Sequence, residues 1–386
     1  MKQDQQQADL YSGSELKDVI PSAIHALNPG LTWAGSANSF VPIPPSSHVV
    51  VLLVDGLGET QLQDFGADLF LSRSTIAHSM RTQFPSTTPV ALGSLGTGET
   101  PGQHGFVGAS FFLPEEGSLL APLRWGSTPH PMSMTPSAPL FEWAAAQGID
   151  VASIAREKYR NSGLTQSVLR GGVYFGAADL VEMERIVLDR MNVATAPALT
   201  YVYWPDLDRV GHVYGPGSSQ WLAELDLIDS FISRLADAIS ENSKSDISLV
   251  ITSDHGMVSC PVDRRVHIES NSDLATDVRL VAGDPRARHI YTRAGAAGET
   301  AIRWQEVLGE DFSVIRRDEL VQGGLFPLFD PDFIERLGDF MVISESDAML
   351  SSNCDTRTSS LLGQHGSVSE AEMVIPLRIF HSGLHN

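Results

Sequence analysis

Three clusters of aspartate and histidine stand directly after runs of aliphatic residues. Asp55 follows the run 48–54, in Val54-Asp55-Gly56-Leu57-Gly58. Asp254 and His255 follow 247–252, in Thr252-Ser253-Asp254-His255-Gly256-Met257. Asp206, Asp208 and His212 follow 199–204, in Trp204-Pro205-Asp206-Leu207-Asp208-Arg209-Val210-Gly211-His212. Mixed carboxylate and imidazole ligands suit zinc, manganese and related divalent ions better than calcium. Each cluster has a plainer reading: Asp-Gly after a strand makes a turn, and Asp208 four residues before His212 suits a helix cap beside an unrelated imidazole. Three such clusters after three apolar runs point instead to one shared metal centre.

A nucleophile candidate lies in Phe84-Pro85-Ser86-Thr87-Thr88-Pro89-Val90-Ala91-Leu92. Thr88 before Pro89 pairs an N-cap with a first helical residue, and the glycines near position 96 end the helix. The N-terminus of a helix offers free N–H groups and a positive dipole end, which suits a phosphoryl group. Capping alone is the plainer role for Thr88; the metal clusters tip the reading toward chemistry. A threonine hydroxyl is a poor nucleophile at neutral pH, and a divalent ion is the direct way to activate it.

These groups need a scaffold that brings them together. The runs 48–54, 199–204 and 247–252 are continuously apolar rather than alternating, as in strands covered on both faces, and 150–155 is a weaker fourth case. Trp221, Leu225, Ile228, Ile232, Leu235 and Ile239 recur at helical spacing from near Ser219. Strands alternating with helices predict a doubly wound, mostly parallel α/β sheet with helices on both faces, in a single domain over residues 1–386. Parallel strands end at one edge, so the Asp and His side chains converge there. Two stretches rich in Gly, Pro, Ser and charge fit the alternation poorly: 109–136, read as a long loop, and about 266–329, read as a small inserted cap. Gly-Gln-His-Gly occurs at 102–105 and again at 363–366, with nothing around it duplicated, and is read as coincidence.

With 42% hydrophobic and 19% charged residues the chain of 386 residues forms a core. A formal charge of -21 excludes a broad basic surface for nucleic acid or anionic membrane. It does not exclude phosphate chemistry, because two bound cations supply their own local positive charge. Cys260 and Cys354 make no disulfide framework. The N-terminus shows no apolar signal segment, and no apolar run is long enough to span a bilayer, so a cytoplasmic protein is expected.

In order along the chain, Leu53-Val54-Asp55-Gly56, Pro85-Ser86-Thr87-Thr88, Asp208 to Pro216, Asp254-His255-Gly256-Met257 and Gly363-Gln364-His365-Gly366 are similar to the motifs of one family. The sequence resembles the type I phosphodiesterase/nucleotide pyrophosphatase family of the alkaline phosphatase superfamily. The resemblance implies an alkaline-phosphatase-like fold and two divalent metal ions, usually zinc, with manganese or other divalent ions as alternatives. Asp55, Thr88, Asp254 and His255 would hold one ion; Asp208, His212 and His365 would hold the other. It selects Asp208 over Asp206, gives His104 a structural role, and is the sole source of His365. It implies in-line attack by Thr88, a phosphothreonine intermediate, and a small phosphorylated substrate, with nucleotides among the candidates. One departure is Ala91, where many members carry an asparagine three residues after the nucleophile. A sulfatase of the same superfamily would need a C/S-x-P-x-R motif, and Cys260-Pro261-Val262-Asp263-Arg264 has the wrong spacing. Phosphomonoesterase, phosphomutase and phosphonate hydrolase activities remain alternatives, as does a non-catalytic metal-binding domain. Phe84, Phe106 and Tyr159 are candidates to stack on a base, although core packing is the commoner fate.

Overall fold

The computed structural model describes residues 13–383 apart from 32, 34–40, 75, 194–196 and 242–245. Of the N-terminal stretch read for a signal segment, 1–18, residues 1–12 lie outside the described residues. No helix among them is long and apolar enough to cross a membrane.

The main sheet has seven strands: β1 (His48–Val54), β2 (Ile76–Arg81), β3 (Asp150–Ala155), β4 (Val173–Gly176), β5 (Ala198–Trp204), β6 (Ile247–Thr252) and β11 (Val374–His381). Their order is β2-β11-β6-β1-β5-β3-β4. The five strands from β6 to β4 are parallel, and β11 runs antiparallel to both of its neighbours. All seven residues of β1 are buried. Val49, Val51 and Leu53 belong to one apolar cluster, and Val50, Leu52 and Val54 to another. Period-two alternation therefore sends neighbouring side chains into two cores, one on each face, which is why the run reads as continuously apolar.

Three helices matter for the site: α1 (Thr88–Thr97), α2 (Asp206–Tyr214) and α3 (Ser219–Glu241). The predicted stripe on α3 is buried at Trp221, Leu225, Ile228, Ile232, Leu235 and Ile239. Helix α1 begins one residue earlier than the sequence reading placed it. Thr87 holds the extended cap conformation, at φ -143° and ψ 145°, and Thr88 is already helical. Thr88 is therefore not the cap, and its hydroxyl is free of that duty. The helix ends at Gly98, whose φ of 71° is the left-handed closure that glycine adopts readily.

The stretch 109–136 is not only loop. It contains a short hairpin, Phe111–Leu113 against Ser118–Leu120. The stretch expected to form a cap folds into a second sheet of β7 (Val278–Asp284), β8 (Ala287–Thr292), β9 (Phe312–Arg316) and β10 (Phe340–Ser344), in the antiparallel order β7-β8-β10-β9. Helix α4 (Ala297–Leu308) packs Trp304 against Phe340 of this sheet. The sheet extends past position 329, because β10 supplies a strand between β8 and β9. Arg286 ties it to the main body through a buried, two-pronged pair with Glu372, Nε to Oε1 and Nη2 to Oε2 both at 2.8 Å.

Candidate metal and phosphate site

The carboxylates are held one oxygen at a time. Asp254 Oδ1 accepts the backbone N–H groups of Gly56 at 3.1 Å and His255 at 3.0 Å, leaving Oδ2 buried without a partner. Asp55 Oδ2 accepts from the Tyr203 hydroxyl, leaving Oδ1 without one. Asp208 Oδ1 is likewise unpartnered. The turn after β1 needs Gly56: its φ is 78°, and a Cβ there would meet Asp208 Cα and Cβ at 2.9 Å. Burial, then the neighbouring Asp254 and Asp208 carboxylates, push the Asp55 carboxyl well up from its usual range.

Three imidazoles face these oxygens. His212 Nδ1 lies 2.7 Å from the Gly363 carbonyl, His255 Nδ1 3.0 Å from that of Gly256, and His365 Nδ1 2.9 Å from that of Ser86. A carbonyl only accepts, so each Nδ1 carries a hydrogen, and each ring in its neutral form presents a bare Nε2 lone pair. His255 Nε2 stands 3.5 Å from both Asp55 Oδ1 and Asp254 Oδ2. His212 Nε2 stands 3.3 Å from His365 Nε2 and 3.4 Å from Asp208 Oδ2. Burial, His255 and His212 hold His365 well below the ordinary imidazole range, so that ring stays neutral. Lone pairs thus point at lone pairs and carboxylates in a buried space. That arrangement is repulsive alone and is relieved by cations, with the Nδ1–carbonyl bonds as the outer support typical of metal-binding histidines.

The ligand atoms form two candidate groups, Asp55–Asp254–His255 and Asp208–His255–His365, each within 4.8 Å. His212 adjoins the second through its contacts with His365 and Asp208. The division differs from the one implied by the family resemblance in two respects: His212 lies outside both 4.8 Å groups, and His255 reaches both, its ring stacked on that of His365 with centroids 3.7 Å apart. Thr88 Oγ1 lies 3.3 Å from His255 Nε2, beside the first group. All seven residues read as ligands are therefore together at the carboxyl edge of the sheet.

Other residues sort as follows. Asp206 is turned to Arg156, at 2.5 Å, and Arg209, at 3.0 Å. His104 is buried, its Nδ1 accepting from Phe106 N–H and its Nε2 bonded to Ser94 Oγ at 2.9 Å, so its setting is structural. The two Gly-Gln-His-Gly copies fold differently, one in a short helix and one in a strand and turn. Ala91 is fully buried and belongs to the apolar core. Phe84 and Phe106 are core residues too; Tyr159 lines a cleft of about 360 Å³ that opens beside Thr88 and Asp55.

Sequence reasoning missed three contributors. Tyr203 orients Asp55. Ser86 joins the nucleophile loop to the His365 loop, its Oγ donating to Ser367 O at 2.7 Å and accepting from Gly366 N–H at 3.1 Å. Asp284, from the second sheet, sits against Gly366, and burial raises its carboxyl to about 7. An aromatic near a strand end, a serine in a proline-rich turn and one acid in a distant sheet carry no local signal.

The sequence pattern of the family described as type I phosphodiesterase/nucleotide pyrophosphatase matches residues 49–368. The chain belongs to this family. It is 24% identical over 239 residues to an uncharacterized pyrophosphatase/phosphodiesterase of Schizosaccharomyces pombe, covering 59% of this chain and 48% of that one. It is 23% identical over 219 residues to human ectonucleotide pyrophosphatase/phosphodiesterase family member 1, covering 55% and 23%. The chain thus spans about half or less of the length of these curated relatives. Among solved structures, murine ectonucleotide pyrophosphatase/phosphodiesterase 5 superposes with a TM-score of 0.69 at 17% identity, over 85% of this chain and 87% of that one. An inactive variant of the murine protein is in complex with AMP and superposes at 0.68 with 16% identity, over 85% and 87%. Phosphonoacetate hydrolase from Sinorhizobium meliloti 1021, in complex with phosphonoformate, superposes at 0.65 with 17% identity, over 86% and 89%. Family and fold agree: the family is one of hydrolases, and this member carries Asp/His clusters able to hold divalent metal.

Proposed function

We propose that the protein hydrolyses phosphodiester or pyrophosphate bonds, with Thr88 as attacking group and two divalent cations at the Asp/His clusters. The carrying observation is the convergence of three bare Nε2 atoms and three unpartnered carboxylate oxygens beside the Thr88 hydroxyl. Asp55, Asp254 and His255 would hold one ion with Thr88; Asp208, His212 and His365 would hold the other. Bound there, such ions, zinc first among them, neutralise phosphoryl charge and lower the pKa of hydroxyl and water.

The chain's own groups do the rest. Tyr203 fixes Asp55, Ser86 fixes His365, and the first turn of α1 presents its positive end to a phosphoryl oxygen. The Thr88 oxygen bonds to phosphorus while the bond to the leaving oxygen opens on the opposite side, and that oxygen takes up a proton. Water then attacks the phosphothreonine, restoring the Thr88 hydroxyl and releasing the second product. A nucleotide is the favoured substrate, supported by the AMP complex of a protein with this fold.

A second reading, phosphonate hydrolysis, draws support from the likeness to phosphonoacetate hydrolase. Turnover of a nitrophenyl phosphodiester, a nitrophenyl monoester and phosphonoacetate by zinc-loaded and chelator-stripped protein separates them. Metal-dependent preference for the diester is expected. Preference for phosphonoacetate would move the protein to the second reading, and equal rates with and without metal would end both.

A further inference from the structure

The loop that carries His365 reaches the cation positions along α2, the helix of Asp208 and His212. Leu362 N–H donates to the His212 carbonyl at 2.8 Å, and the Gly363 carbonyl accepts from His212 Nδ1 at 2.7 Å. The approach is close enough that a Cβ on Gly363 would meet the Gly211 carbonyl oxygen at 2.3 Å. The backbone of Leu362 and Gly363 therefore sets where His212 Nε2 points.

One guanidinium holds the residues just before this contact. Arg265 Nη1 donates to the Ser359 carbonyl at 3.0 Å, and Nη2 donates to those of Leu361 at 2.9 Å and Cys260 at 3.2 Å. Cys260 N–H donates in turn to the Leu362 carbonyl at 2.9 Å. Arg265 thus ties together two segments that are distant in the chain and meet beside His212.

The side chain is set to hold backbone, not to balance charge. Its neighbour Arg264 pairs with Asp311 at 2.6 Å and Asp347 at 2.8 Å. Arg265 makes no ion pair among the described residues, although acidic residues outnumber basic ones by 47 to 26. A planar fork of donors takes several carbonyls at once, which the compact ammonium of lysine matches poorly.

The first cation position is supported by other means. Tyr203 orients Asp55, and the N–H groups of Gly56 and His255 orient Asp254. None of these bonds involves Arg265 or residues 359–363.

We infer that Arg265 is a positioning residue for the second cation position: by holding the Ser359 and Leu361 carbonyls it sets Leu362 and Gly363 against His212. This rests on the two-cation reading above and names a support that serves one position and not the other. The sign of its effect is diagnostic. On Coulomb grounds alone, removing a nearby positive charge strengthens cation binding; a positioning role predicts weakening.

The test measures zinc affinity by chelator competition in two backgrounds, with thermal unfolding to show that each protein is folded. Asp254→Asn leaves the second ligand set intact, and Asp208→Asn leaves the first. Adding Arg265→Met should weaken zinc about tenfold in the Asp254→Asn background, the low end for loss of an outer support. In the Asp208→Asn background it should change affinity by less than about twofold, because that position shares no partner with Arg265. Arg303→Met is the comparison, since Arg303 holds the Asp273 and Thr276 carbonyls at 2.7 and 2.8 Å elsewhere in the protein; it should leave both affinities unchanged. Should Arg265→Met not fold, Arg265→Lys, which keeps the charge and loses the fork, replaces it, with weakening again confined to the Asp254→Asn background. Weakening equal in both backgrounds, absent from both, matched by Arg303→Met or reversed in sign overturns the inference while the two-cation reading stands. Failure of folded wild type to take up zinc overturns the two together.

Discussion

The Tyr203 hydroxyl donates to Asp55 Oδ2, and the other oxygen of that carboxylate, Oδ1, is left unpartnered 3.5 Å from His255 Nε2. One hydrogen bond thus decides which carboxylate oxygen faces the first cation position. Supports of this kind commonly contribute 10- to 100-fold in metal affinity, as an order of magnitude. Tyr203→Phe should therefore keep its fold and weaken zinc binding by about that factor, read by titration against a competing chelator. An unchanged isotherm would remove Tyr203 from the support of the site.

The buried Arg286–Glu372 pair joins the second sheet to the segment that carries His365. Glu372 also accepts the Ser367 backbone N–H at 3.0 Å, two residues from that histidine. Removing one partner of a buried pair strands the other charge, at about 3–5 kcal/mol. Arg286→Met should lose stability of that order in denaturant unfolding, with looser metal retention because the His365 loop loses its anchor. A loss below about 1 kcal/mol, the range of a surface pair, would show that the pair is not needed to join the two sheets.

Acid sensitivity has a readable sign at His289. Its Nε2 bonds to the Val107 carbonyl at 2.9 Å and its Nδ1 accepts from Gly338 N–H, so the ring is neutral. Burial holds it down at about 4, against an unfolded value of roughly 6.5. Between these values the unfolded chain takes up a proton that the folded protein refuses, so the stability tied to this ring is present above about 6.5 and falls with pH, by about 1.4 kcal/mol per unit. Asp284, raised to about 7, acts in the opposite sense. The wild-type advantage over His289→Gln should therefore shrink between pH 6.5 and 4 in urea unfolding. A constant difference across that window would contradict the neutral, buried ring.

Much of this molecule was legible before its structure. The runs at 48–54, 150–155 and 247–252 are strands as read, 199–204 gains only Ala198, and the Asp and His residues after three of them meet at one edge. Chain order and the parallel-sheet rule suffice for that. His365 was not legible in this way: it stands on a loop whose place depends on Ser86 and on pairing of Gly363–Gln364 with Val258–Ser259, contacts made across more than a hundred residues. Thr88 was read as the helix cap, a place that Thr87 takes. The second sheet was hidden because antiparallel strands such as Val278–Asp284 mix polar and apolar residues and read as loop. Ala91 shows the converse hazard, a motif departure that structure places in the core.

The central claim, that Thr88 attacks phosphorus beside cations held by the Asp/His clusters, is tested most directly by Thr88→Ala, with turnover of a nitrophenyl phosphodiester and bound metal measured on one preparation. Loss of the attacking group should cut kcat by more than about a thousandfold, while metal content stays nearly that of wild type, because the Asp and His ligands are untouched. Turnover close to wild type in a fully metal-loaded Thr88→Ala protein would contradict the claim.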